Sequence, residues 1–137
     1  MSETMLEGGC LCGRVRYRVT GKPLVSEYCH CGMCRKATGA PVAAWADFPR
    51  TAFRWLTEPP ADYSSSERSL RSFCSNCGGA LTFRLKDGTD WISIALGSLD
   101  EPGAVPPAQH IYHASRVRWL TLNDDLPRHE ARVGEGK

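Results

Sequence analysis

Phe73-Cys74-Ser75-Asn76-Cys77-Gly78-Gly79 is a Cys-x-x-Cys-Gly knuckle, and the rest of the chain is best read outward from it. A tight turn brings both sulfurs onto one metal ion, and Gly78 can take the positive φ such a turn needs. Two ligands cannot close a tetrahedral site, so a second pair has to come from elsewhere. Cys10-Leu11-Cys12-Gly13 can supply it, because residues i and i+2 of an extended chain point to one face. Two remote pairs would make a closed four-thiolate site that ties the N-terminal strand to the middle of the chain. With no open position, such a site is structural.

Cys29-His30-Cys31-Gly32-Met33-Cys34 holds the remaining three of the seven cysteines. Cys29 and Cys31 share a face by the same argument, and a turn brings Cys34 round. Three ligands with a fourth position open are the arrangement of a catalytic zinc. His30 points the opposite way on an extended segment and is not counted as a ligand. Spacing alone does not fix this division into four and three, since Cys10 and Cys12 could instead join part of the central cluster.

The chain has 137 residues, which fits one domain. Hydrophobic residues make up 42% and charged residues 23%, which excludes a wholly disordered chain. No apolar run is long enough to span a bilayer. Met1 to Gly9 shows neither a basic nor an apolar signal region, so a cytoplasmic address with reduced thiols is expected. Counting seven thiolates and two zinc ions changes the formal charge from +2 to −1. The charge balance therefore gives no support to a nucleic-acid partner.

Period-two alternation dominates, clearest in Arg14-Val15-Arg16-Tyr17-Arg18-Val19. Further strands are expected over 24–31, 42–48, 52–56, 70–73, 80–85, 91–96 and 109–113. Residues 31–38 are expected to carry a turn or one short helix. Ser64-Ser65-Ser66 reads as a turn between extended segments, and Lys86-Asp87-Gly88-Thr89 as a hairpin turn. The expectation is a mainly β, single-domain zinc-binding fold of small sheets over residues 1–126. A polar tail over 127–137 is expected to fray.

Arg14, Arg16 and Arg18 would line one strand face, either attracting substrate carboxylates or, the favoured reading, simply solvated. Trp45, Trp55, Trp91 and Trp119 are read chiefly as packing residues, with a pocket wall as the alternative. His110 and His113 are read as surface or satisfied histidines before substrate contacts. Arg35 and Lys36 could stabilise thiolate charge but are read first as solvated. Gly8-Gly9 and Gly78-Gly79 are read as turn glycines.

Gly8-Gly9-Cys10-Leu11-Cys12-Gly13, the run Cys29 to Ala40, and Phe73-Cys74-Ser75-Asn76-Cys77-Gly78 together resemble the glutathione-dependent formaldehyde-activating enzyme family. Leu96-Gly97-Ser98-Leu99-Asp100 and His110 to Trp119 resemble its C-terminal half, so the likeness covers about residues 6–128. The family also includes a branch shared with centromere protein V. The resemblance implies an Mss4-like fold. It implies a structural zinc on Cys10, Cys12, Cys74 and Cys77 and a catalytic zinc on Cys29, Cys31 and Cys34, two zinc ions per chain. It further implies a carbon–sulfur lyase that adds glutathione to formaldehyde, giving S-(hydroxymethyl)glutathione, with another small thiol or aldehyde as a variant. The alternative is a non-enzymatic zinc protein that carries glutathione or another thiol.

Zinc held by three thiolates is a weak Lewis acid, so delivering a thiolate suits it better than polarising a carbonyl. No dedicated general base is evident in the sequence. A labile three-cysteine site could also form a disulfide or a mixed disulfide with glutathione.

Overall fold

A computed structural model describes residues 4–132. Its strands are β1 (Met5–Gly9), β2 (Arg16–Thr20), β3 (Val25–Cys29), β4 (Ala43–Pro49), β5 (Phe53–Trp55), β6 (Ala61–Ser64), β7 (Ser69–Phe73), β8 (Ala80–Leu85), β9 (Trp91–Ala95) and β10 (His110–Ile111). One short helix, α1 (Gly32–Thr38), joins β3 to β4. The described residues form a three-stranded sheet, β1-β2-β5, and a seven-stranded sheet, β10-β3-β4-β9-β8-β7-β6. All pairs are antiparallel except β10 with β3. The mainly β expectation therefore holds.

Alternation along β4 sorts the two faces of the larger sheet. Ala46 and Phe48 are fully buried in a core with Val15, Tyr17 and Val19 from the smaller sheet's side. Trp45 and Ala43 face the other way, into a second cluster with Cys29, Cys34 and Ile111. Ile94 of β9 follows the first face, and Trp91 and Ser93 follow the second, lining a cavity. The pairing of β7 with β8 shifts register between Ser72 and Phe73, and such a bulge re-aims a strand. Leu81 accordingly lies in the inter-sheet core while Phe83 and Leu85 reach the cavity.

Three local expectations need correction. Gly8 and Gly9 are not in a turn: they pair with Tyr17 and Arg16 at the end of β1. They are glycines because of crowding, since a Cβ at Gly8 would lie 2.5 Å from the Ser98 carbonyl oxygen and one at Gly9 would run into that of Val15. The strand expected over 109–113 shrinks to two residues, because Tyr112 has a φ of 54° and turns the chain. The segment expected to fray is, over 127–132, docked against β10. His110 donates its N–H to the Pro127 carbonyl at 2.8 Å, and His129 donates to that of His110 at 2.9 Å. Composition suggested a loose tail, but backbone pairing holds it. Residues 133–137, with Gly134 and Gly136, lie outside the described residues.

Candidate metal centres and the adjoining cavity

Cys10 follows β1 directly, and a turn closed by the Gly13 N–H on the Cys10 carbonyl at 3.2 Å carries Cys12 beside it. The knuckle after β7 closes in the same way, Gly78 N–H on the Cys74 carbonyl at 2.8 Å, with Gly78 at φ +80°. The four sulfurs of Cys10, Cys12, Cys74 and Cys77 all lie within 4.8 Å of one another. Cys10 and Cys12 sulfurs are 3.6 Å apart, and those of Cys12 and Cys74 are 3.7 Å apart. Disulfide sulfurs sit at about 2.0 Å. A tetrahedral ion with bonds of about 2.3 Å spaces its sulfurs by about 3.8 Å, which fits these thiols.

Peptide N–H groups support that charge. Val15 donates to the Cys10 sulfur at 3.3 Å, and Asn76 donates to that of Cys74 at 3.3 Å. The Asn76 side-chain amide donates to Cys12 at 3.4 Å. Backbone N–H groups of Cys12 and Gly79 draw the Cys77 thiol down to about 6. Burial opposes ionisation of Cys10, but the Val15 N–H and the Cys74 and Cys12 sulfurs outweigh it, leaving its thiol below the ordinary value.

The second group stands at the far side of the larger sheet. Cys29 ends β3, Cys31 caps α1, and Cys34 comes round on its first turn. The Cys31 sulfur accepts the Cys34 N–H at 3.3 Å, as an N-cap side chain does. Gly39, at φ 73°, ends the helix by donating to the Arg35 carbonyl. These three sulfurs also lie within 4.8 Å of one another. The Cys29 and Cys34 thiols stabilise a thiolate on Cys31, whose pKa falls, and the Arg71 charge adds to that effect. Cys29 rises in turn, through its neighbours Cys31 and Cys34 and then through burial.

His30 turns away from the sulfurs, as its position between two same-face residues implies. Its Nε2 lies 2.8 Å from Nδ1 of His110, and His110 Nε2 lies 3.1 Å from each Asp124 oxygen. Burial opposes ionisation of Asp124, but the Leu126 N–H, His110 and Arg128 hold its carboxyl below the ordinary range. An acceptor-only carboxylate requires His110 to donate from Nε2, so its Nδ1 accepts from His30. His110 is wholly buried, a satisfied histidine, while His113 packs edge-on against His30 with ring centres 5.1 Å apart.

A cavity of about 350 Å³ opens onto the three-cysteine group, within the range of small-molecule sites. Trp45, Phe83 and Trp91 form its apolar walls, and Arg71, Glu27 and Asp47 are among its polar groups. Burial pushes both carboxyls up, against the Gln109 bond to Glu27 and the Ser93 hydroxyl bond to Asp47. Arg132 faces the same acids and packs over Trp91 at 5.8 Å. Arg71 Nη2 approaches the Cys34 sulfur at 3.8 Å, yet Arg71 Nε and Nη1 and the Trp45 indole nitrogen are buried without acceptors among the described residues. Leaving a buried donor unpaired costs about 1–3 kcal/mol, so a polar ligand is the natural partner for these groups.

The other sequence candidates divide. Trp45 and Trp91 do wall the cavity, whereas Trp55 packs on Tyr17 and Phe53, and Trp119 is 77% exposed. Arg16 and Arg18 pair with Asp100 and Glu7, and Arg14 approaches Glu58, all away from the cavity. Arg35 and Lys36 sit on α1 and do not line the cavity. Sequence reading passed over Arg71, Glu27, Asp47 and Asp124. Glu27 had a usable signal, since it lies two residues before Cys29 on the same strand and so shares its face.

Residues 5–115 match the family described as glutathione-dependent formaldehyde-activating enzyme. A protein of Halomonas elongata, provisionally named a glutathione-dependent formaldehyde-activating enzyme, is 27% identical over 130 residues, 86% of this chain and 81% of that protein. A crystal structure of a Rhodobacter sphaeroides protein superimposes with a TM-score of 0.57 at 21% identity, covering 89% of this chain and 98% of that one. That likeness supports the fold.

Proposed function

This chain belongs to the glutathione-dependent formaldehyde-activating enzyme family, and from that premise we propose that it acts as a zinc-dependent carbon–sulfur lyase, joining the thiol of glutathione to formaldehyde or a related small aldehyde. The observation that carries this reading is the three-cysteine group at the edge of a cavity beside buried Arg71 donors that have no acceptor among the described residues. Cys29, Cys31 and Cys34 would hold one zinc with a position left for an incoming thiol. Cys10, Cys12, Cys74 and Cys77 would hold the other as a closed structural site. When bound, zinc lowers the pKa of a neighbouring thiol and so supplies a thiolate at neutral pH.

The chain's own residues do the rest. Trp45, Phe83 and Trp91 would wall the reacting sulfur on its apolar side. Glu27 and Asp47, opposite Arg132, offer a polar wall suited to the ammonium and carboxylates of a zwitterionic tripeptide. Addition of a thiolate to formaldehyde is intrinsically easy, so holding both partners together is the main contribution. A reducing compartment such as the cytoplasm keeps the seven cysteines available as thiols.

Exchange NMR on glutathione and formaldehyde, with and without zinc-loaded protein, tests the reading. Saturable acceleration that Cys31→Ser abolishes is the expected result. An unchanged rate would refute lyase activity on this substrate pair. A carrier would bind glutathione through the same cysteines without accelerating exchange, and calorimetry alongside the NMR separates the two.

A further inference from the structure

We propose that Arg71 is an oxyanion holder beside the three-cysteine group. This rests on the thiol–aldehyde reading above for its substrate. Arg71 stands 3.8 Å from the Cys34 sulfur through Nη2, while its Nε and Nη1 are buried with no acceptor among the described residues. Its guanidinium carbon lies 4.9 Å over the Phe83 ring and 6.0 Å from the Trp45 ring centre, which fixes the plane of the fork. Arg16, Arg18, Arg84 and Arg128 each have a carboxylate partner within 3.0 Å. Arg71 has none among the described residues, and the cavity acids Glu27 and Asp47 feel Arg132 instead.

A permanently charged fork with free hydrogens suits an anionic oxygen formed close to the sulfurs. Thiolate attack on formaldehyde makes one. The sulfur lone pair forms the C–S bond, and the C=O π pair moves onto oxygen. The resulting alkoxide takes a proton from water, replacing the one the thiol gave up to water. The oxygen ends one carbon from sulfur, which matches a guanidinium lying against the sulfur cluster. The carboxylates of glutathione are many bonds farther away. Donors placed where charge develops are effective because they need no reorganisation.

The test compares binding of two glutathione derivatives by calorimetry: glutathione sulfonate, which carries anionic oxygens next to the sulfur position, and S-methylglutathione, which carries none. Wild type is expected to prefer the sulfonate by about tenfold or more. Arg71→Met should erase that preference while leaving S-methylglutathione affinity within about threefold. In exchange NMR it should lower kcat/KM about a hundredfold both with glutathione and with cysteamine, a thiol that has no carboxylate. Circular dichroism and zinc content check that the variant is folded and loaded, and if Arg71→Met fails that check, Arg71→Gln is read in its place. A wild type without the preference, or a variant that keeps it, overturns the proposal. So does a variant that loses affinity for both derivatives equally, because Arg71 would then be gripping a carboxylate of the thiol. If wild type shows the preference, loses it on substitution, and yet does not accelerate the reaction, the lyase reading fails and the anion site stands.

Discussion

Gly8→Ala should destabilise the protein far more than its chemistry suggests. A Cβ there would meet the Ser98 carbonyl oxygen at 2.5 Å, the Tyr17 hydroxyl at 2.6 Å and Tyr17 Cζ at 2.7 Å, where ordinary contact starts at 3.4 Å. Something must move by about 0.9 Å. The Ser98 oxygen is backbone, held next to the Gly8–Leu99 bridge. Tyr17 is wholly buried, stacked on Phe53 at 5.4 Å, with its hydroxyl 2.6 Å from Ser98 Oγ. Overpacking of this kind costs about 1–3 kcal/mol. Breaking the Tyr17–Ser98 bond adds about 1 kcal/mol, and the stiffer unfolded chain returns about 0.4–1 kcal/mol. The net loss is about 1–3.6 kcal/mol, which lowers the Tm by about 3–12 °C for a chain this size. Urea unfolding followed by tryptophan fluorescence measures it, with Gly97→Ala as control, since a Cβ at Gly97 meets nothing within 4 Å. If the two variants are equally stable within about 0.5 kcal/mol, the reasoning from close approach is wrong.

Cys74→Ser should lose one equivalent of zinc by elemental analysis and unfold at lower temperature, whereas Cys31→Ser should lose the other equivalent with the fold intact; loss of both ions from either variant would contradict two separate sites. Asp47 has its carboxyl raised, mainly by burial, so the native state favours the protonated form more than the unfolded chain does. Stability contributed by that proton is complete below the ordinary value of 3.8 and drains away as pH rises through the higher native value. Asp47→Asn should therefore be the more stable protein at neutral pH and converge with wild type in acid, and thermal melts showing wild type ahead at neutrality would reject the argument. His110→Phe leaves the His30 Nε2–H without its acceptor at 2.8 Å, and a loss of about 1–3 kcal/mol in urea titrations is expected; a neutral result would mean the pair contributes nothing.

What sequence could reveal follows the range of the forces involved. The knuckle and the i, i+2 pairs were readable as local geometry, whereas the division into four and three rested on the family resemblance, and the structure brings together the same four and the same three thiols. The strand over Ala80–Leu85 was readable residue for residue, because Leu81 to Leu85 alternate apolar and polar in sequence and an Asp-Gly turn follows. Strand β1 was missed because two of its five residues are glycines, a weak local signal that long-range packing against Tyr17 and Ser98 overrides. Strand β6 was missed because Ala61-Asp62-Tyr63-Ser64 is a largely exposed edge with no apolar pattern. Arg71 looked like any strand arginine, since its burial comes from Phe83 and Trp45 on strands that only the folded sheet sets around it. Likewise the Asp124–His110–His30 chain joins residues up to 94 positions apart, which no local motif announces.

The first sulfur group joins positions 10 and 12 to positions 74 and 77. At about 5–20 residues per second, a ribosome takes roughly 3 to 13 s to travel from Cys12 to Cys77. Throughout that interval the N-terminal pair has been made but cannot complete its site, so two adjacent thiols wait in a nascent chain for partners not yet synthesised. Closing the site late costs little in chain entropy, because that penalty grows only with the logarithm of the loop. The hazard is chemical: oxidation of Cys10 or Cys12 during the wait would remove a ligand before metal arrives. Yield in cells should therefore respond to oxidants during synthesis much more sharply than the finished, metal-loaded protein does.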